Sequence, residues 1–100
     1  MNVKLDLNYP DFQKEWFKLE KADFSATQKS LKKILTMNWL QVYHDRGLRW
    51  EKIHSITTPD GRALYSIRLS VKFRAVVCRE KEFMVFISLH PDHRVNGVKP

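Results

Sequence analysis

The chain has 100 residues, 43% of them apolar and with three Trp and six Phe. That is enough for one core and too little for a second domain, so residues 1–100 are expected to form a single unit. The lone Cys78 excludes an internal disulfide, no apolar run near the amino terminus has the length of a signal peptide or membrane span, and the formal charge of +7 favours a polyanionic partner. The cytoplasm is the expected compartment, with no membrane partner.

In chain order, Val3-Lys4-Leu5-Asp6-Leu7 alternates apolar and polar and predicts a half-buried strand. Pro10 suits a helix start, and Phe12, Trp16 and Leu19 recur at helical spacing, which predicts an amphipathic helix from Asp11 to Lys21. Ser25 and Gln28 have capping-box spacing, so a second helix is expected to open there, with Leu31, Ile34 and Leu35 as its apolar stripe. Lys29, Lys32 and Lys33 line its other side, as a solvated face or as a contact for a partner. Between Asn38 and Thr58 the pattern is ambiguous, and Trp39 to Tyr43 reads equally as the end of a helix or the start of an extended segment. Pro59-Asp60-Gly61 signals a turn. Three runs rich in strand formers follow, Leu64 to Leu69, Phe73 to Arg79 and Phe83 to Leu89. Their short connections favour an antiparallel meander, because parallel crossovers need a dozen or more residues. The expected fold is therefore α+β, in the order β-α-α-β-β-β, with two helices on a small and mainly antiparallel sheet.

Register follows from the faces, since a one-residue slip turns every side chain over. A three-residue loop at Ser70 to Lys72 sets Leu69 against Phe73, Ile67 against Ala75 and Tyr65 against Val77, an apolar and aromatic face. A similar connection at Glu80-Lys81-Glu82 pairs Val77 with Val85, Ala75 with Ile87 and Phe73 with Leu89. The opposite face then holds Leu64, Ser66 and Arg68, then Cys78, Val76 and Arg74, then Met84, Phe86, Ser88 and His90. Two arginines facing one another, Arg68 and Arg74, need a negative neighbour, which is either an RNA phosphate or a carboxylate such as Glu51 or Asp92.

The stretch from Arg62 to Arg79 holds five cations, Arg62, Arg68, Lys72, Arg74 and Arg79, and no acid. RNA cleavage through the 2′-hydroxyl needs a proton acceptor, cations for the charged phosphorane and an acid for the leaving 5′-oxygen. Glu51 and His90 are the candidates for proton transfer, with Arg68, Arg74 and Lys72 as phosphate clamps. Lys52, Arg62, Arg79 and His93 add charge for RNA binding. His90-Pro91-Asp92-His93 offers two histidines and an acid, but Pro91 constrains its backbone and structural zinc wants four ligands, so no metal and no cofactor are expected. No phosphate-binding glycine loop or nucleophile elbow is present, and the basic strands lack spaced aromatics on which bases would stack.

Gly47-Leu48-Arg49-Trp50-Glu51-Lys52-Ile53, Ala63-Leu64-Tyr65-Ser66-Ile67-Arg68-Leu69, Lys72-Phe73-Arg74-Ala75-Val76-Val77 and a last strand ending in His90 follow one another in an order that resembles the RelE/ParE toxin superfamily. The resemblance covers nearly the whole chain and rests on order and spacing. It implies a toxin of a type II toxin-antitoxin system, a ribosome-dependent mRNA endonuclease that inhibits translation, with a non-enzymatic ParE-like gyrase inhibitor as the alternative. It also implies a cognate protein antitoxin, held in a hetero-oligomer, and the ribosome and mRNA as partners. By position, Arg74 matches the arginine that contacts the scissile phosphate, Arg68 the cation of the preceding strand, Glu51 a carboxylate base and His90 the late histidine. Such nucleases often carry a tyrosine after the histidine region, and His93 to Pro100 contains none.

Overall fold

A computed structural model describes residues 1–92. Five strands form one sheet in the order β1-β5-β4-β3-β2. They are β1 (Lys4–Asp6), β2 (Glu51–Thr57), β3 (Ala63–Arg68), β4 (Phe73–Glu80) and β5 (Phe83–Pro91), with helices α1 (Pro10–Phe17), α2 (Lys21–Leu35) and α3 (Trp39–His44) between β1 and β2. The α+β class agrees with the sequence. One helix and one strand more than expected fill the ambiguous stretch.

The helices differ from expectation at their ends. Helix α1 stops at Phe17, short of Lys21, and α2 opens at Lys21, so Ser25 and Gln28 lie inside it and form no capping box. Lys21 and Ala22 are good helix formers, and Asp23 in the first turn suits the positive end of the helix dipole, so the helix nucleates earlier than Ser25. The Trp16 ring stacks on Phe24 at 4.6 Å and its Nε1 donates to the buried Thr27 hydroxyl at 2.8 Å, which fixes the α1–α2 corner. The capping box belongs to α3, where the Asn38 side chain accepts from Gln41 N and the Gln41 side chain accepts from Asn38 N.

Strand β1 runs parallel to β5, Lys4 opposite Phe83, and the other pairs are antiparallel. The β3–β4 register is the expected one, with Tyr65 opposite Val77, Ile67 opposite Ala75 and Arg68 opposite Arg74. The β4–β5 register is not. Only Lys81 and Glu82 form the connection, so Val77 meets Phe86 and Cys78 meets Val85. An extra residue at Ile87 then shifts the pairing again, so Ala75 meets Leu89 and Phe73 meets Pro91. The tight turn puts Lys81 at φ 57°, a costly region for a residue with a side chain. Arg79 Nε donates to its carbonyl at 2.8 Å, while Glu82 O accepts from Lys4 N at 2.9 Å and Trp39 Nε1 at 3.2 Å.

A bulge of one residue reverses the faces on one side of itself only. Met84 and Phe86 therefore turn inward, against the expectation, where Phe86 packs on Phe12 at 5.2 Å in the main core between sheet and helices. Val85 and Ile87 turn outward and join Leu64, Cys78, Val76 and Ile53 in a second, smaller cluster on the outer face. Burial pushes the Cys78 thiol above its ordinary range, so the residue behaves as an inert apolar side chain. Beyond the bulge Ser88 and His90 keep the outward orientation that the sequence predicts.

Candidate functional site

The outer face carries the polar residues in two rows across the sheet. Arg68, Arg74 and His90 are direct cross-strand neighbours on β3, β4 and β5, and the next row holds Glu51, Ser66, Val76 and Ser88. Paired arginines repel, and the structure supplies both carboxylates that the sequence offers as neutralisers. Arg74 Nη2 lies 3.4 Å from Glu51 Oε1 and Arg74 Nη1 lies 3.8 Å from Asp92 Oδ2, which is also 3.7 Å from Arg68 Nη2. Arg74 Nε donates to Ser66 Oγ at 2.6 Å. The second oxygen of Glu51 faces Arg49 Nη2 at 3.4 Å.

Burial separates the members of this network. Arg74 and Asp92 are 9% and 3% exposed, whereas the Glu51 side chain is 44% exposed and that of Arg68 30%. The inner pair is thus fixed and the outer pair is open to a ligand. Asp92 is also anchored through its backbone, its N–H donating to Lys72 O at 2.6 Å. His90 is exposed, its Nε2 is 2.8 Å from Ser88 Oγ, and it borders a cleft of about 350 Å³ shared with Asp11, Lys14 and Glu15 of α1.

Of the residues singled out from sequence, Glu51, Arg68, Arg74 and His90 come together. The remaining described ones do not. Lys72 reaches back to Asp23 of α2 at 3.7 Å. Arg79 lies on the helix side of the sheet, 4.5 Å over the Trp39 ring and 2.7 Å from the Tyr43 hydroxyl. Lys52 pairs with Tyr65 across the strands, on the face opposite to Glu51. Arg62 sits at the far end of the outer face, between Asp60 at 3.3 Å and Glu80 at 3.7 Å. The run of cations from Arg62 to Arg79 therefore makes no single surface, because strand alternation and two reversals of the chain send its members to different faces. His93 lies outside the described residues.

The sequence offers Asp92 only as a neutraliser of the arginine pair and assigns no site role to Ser66 or Arg49. For Asp92 the signal is the facing arginine pair, which demands an acid, and for Ser66 it is a place on the outward face of β3. Arg49 carries no such signal, since its position depends on a backbone φ of 52° just ahead of an unpredicted strand. Among the described residues no group of three or more His, Cys, Asp and Glu side chains is arranged to hold a metal ion, and no helix is long and apolar enough to cross a membrane.

Chemically, the site offers two guanidiniums side by side, a partly exposed carboxylate and an exposed imidazole, all on one uncovered sheet face. No family model, curated protein or solved structure matches the chain.

Proposed function

We propose that the chain is a toxin of a type II toxin-antitoxin system that acts in the cytoplasm as a ribosome-dependent mRNA endonuclease, kept inactive by a protein antitoxin. The observation that supports this reading is the convergence of Glu51, Arg68, Arg74 and His90 on the outer sheet face. Arg68 and Arg74 bind the scissile phosphate and stabilise the extra negative charge of the phosphorane. Glu51, whose side chain leans across β3 to Arg74, takes the proton of the 2′-hydroxyl. The 2′-oxygen then bonds to phosphorus, the bond to the 5′-oxygen breaks, and His90 protonates that leaving oxygen. The products are a 2′,3′-cyclic phosphate and a 5′-hydroxyl.

The ribosome requirement has a physical basis in the same network. Glu51 and Asp92 already neutralise much of the arginine charge, so a free phosphate gains little by entering. A message held bent and in line removes the entropic part of the barrier. A translation extract read by primer extension is expected to show cuts in translated message and few in naked RNA. Intact message in that extract, at toxin levels that stop growth, would sink the reading.

A second reading, a non-enzymatic inhibitor of DNA gyrase, is favoured by the depth at which Arg74 is held, 9% exposed with Ser66, Glu51 and Asp92 around it. Inhibition of supercoiling by purified gyrase, with translated message left whole, would establish it instead.

A further inference from the structure

The outer face has a second concavity, at the end away from the arginine row. Tyr9, Pro59, Leu64 and Ile87 give it apolar walls, and Thr57, Thr58, Asp60 and Arg62 complete it, around a volume of about 410 Å³. That is within the usual size of a site for a small organic group. The loop that forms one wall is internally bonded. Thr58 N donates to Arg62 O at 3.0 Å, Gly61 N to Thr58 O at 2.9 Å and Arg62 N to Thr58 Oγ1 at 2.8 Å, and Gly61 supplies the φ of 88° that the turn requires. That wall of the groove is thus held by its own hydrogen bonds.

Tyr9 is the unusual member. It occupies the N-cap of α1, where Ser, Thr, Asn or Asp would satisfy a helix N–H, and its side chain makes no cap bond. The residue is 40% exposed and lines the groove instead. The groove adjoins the row of Ser66, into which the Arg74 side chain reaches. Leu64 is two residues before Ser66, which holds Arg74, and Ile87 directly precedes Ser88. Two residues of strand span roughly 7 Å, so a phosphate held where Arg74 meets Ser66 leaves the base of the adjoining nucleotide at the edge of the groove that Tyr9 lines.

We infer that this groove is a base-binding subsite, which takes the nucleobase next to the phosphate bound at Arg68 and Arg74 and stacks it on the Tyr9 ring. The inference rests on the proposed function for its phosphate. An apolar slot with an aromatic wall, beside cations on one sheet face, matches a ligand that joins a flat ring to a phosphate better than it matches an aliphatic side chain. Stacking is tolerant of base identity, because every base has a π-face. Arg62, occupied by Asp60 and Glu80, shapes the wall and holds no phosphate.

The test is an NMR titration of the full chain with adenosine 3′-monophosphate, inorganic phosphate and adenosine. The nucleotide is expected to bind roughly tenfold more tightly than phosphate and to shift Tyr9, Leu64 and Ile87 together with Arg74. Adenosine should shift the first three alone. Tyr9→Ala should bring the nucleotide down to the level of phosphate, and Tyr9→Phe should not. Equal affinity for nucleotide and phosphate, or no effect of Tyr9→Ala, overturns the subsite. Nucleotide that shifts Tyr9 and leaves Arg74 unmoved sinks the phosphate site of the proposed function and keeps the base site. Groove resonances that respond to dilution of the chain, or to N-acetyl-leucinamide and not to adenosine, give the groove to a second copy or to a protein anchor and overturn the inference.

Discussion

Arg74 is both the centre of the proposed chemistry and a structural residue, and the two roles need different substitutions. Arg74→Ala removes a charged partner from the buried Asp92, at a cost of about 1–3 kcal/mol. Loss of toxicity in that variant would be ambiguous. Arg74→Lys keeps the charge and gives up the planar fork that reaches Ser66, Glu51 and Asp92 together. Its melting temperature is expected to stay within a few degrees of the parent's while cleavage on the ribosome falls by roughly a hundredfold. Undiminished cleavage would remove Arg74 from the phosphate. His90 is exposed and bonds only to Ser88 among the described residues, so His90→Gln tests the chemistry with little risk to the fold. Single-turnover cleavage should slow by about a hundredfold with ribosome binding preserved. Equal losses in both would make His90 a docking residue.

At the scale of elements, the loop from α3 to β2 determines where Glu51 stands, and Asp45 holds that loop. Its carboxylate takes Lys33 Nζ of α2 at 3.0 Å and Leu48 N at 2.9 Å. Burial works against the charged form, but the Lys33 ammonium and the N–H groups of Leu48 and Gly47 outweigh it and hold Asp45 below its ordinary value. A carboxyl with a depressed folded pKa stabilises above its unfolded value of 3.8 and loses that contribution as pH falls through the lower folded value. Asp45→Asn should therefore cost about 1 kcal/mol at neutral pH and differ less from the parent below pH 4, as read from urea midpoints across that range. A constant gap between the two proteins down to acid pH would show that Asp45 acts through packing.

The strands show what the sequence could reveal and what it could not. The β3–β4 register is legible because one loop length alone makes Tyr65, Ile67, Phe73, Ala75 and Val77 a continuous face. The β4–β5 register is hidden because Phe83 to Ile87 is apolar throughout, and an unbroken apolar run carries no period from which to detect a bulge. The site survives this error for a geometric reason. A turn shorter by one residue and a bulge of one residue shift the pairing in the same direction, so the faces agree again from Ser88 onward. Strand β2 stays hidden because it is an edge strand exposed along most of its length, with no hydrophobic pattern to declare it.

The chain carries a formal charge of +7, and among the described residues the cations of the strands and their loops stand on two faces of the sheet and are not gathered into one groove. Lys72 and Arg79 belong to the helix side, while Arg49, Arg68 and Arg74 face outward beside Glu51 and Asp92. Such a distribution suits long-range attraction to ribosomal RNA and gives no tight grip on an isolated strand. On the proposed function, co-sedimentation with ribosomes should therefore weaken steeply between about 50 and 200 mM salt, while cleavage by the bound chain, which would depend on the short-range contacts of Arg74, should be less sensitive. Binding that ignores salt would place the docking energy in apolar contacts.

The parallel pairing of β1 with β5 gives the molecule a schedule. Lys4 to Asp6 find their partners only at Phe83 to Val85, near the other end of the described chain. The sheet is complete only when the most distant segments in sequence have met, a contact with a high loop-closure cost and a slow approach. During synthesis the first strand must wait for the last, and the last strand is also the one that brings His90 to the arginines. A nascent chain therefore has no assembled site until β5 has been made and has docked, and on the proposed function that order of arrival would spare the ribosome that produces it.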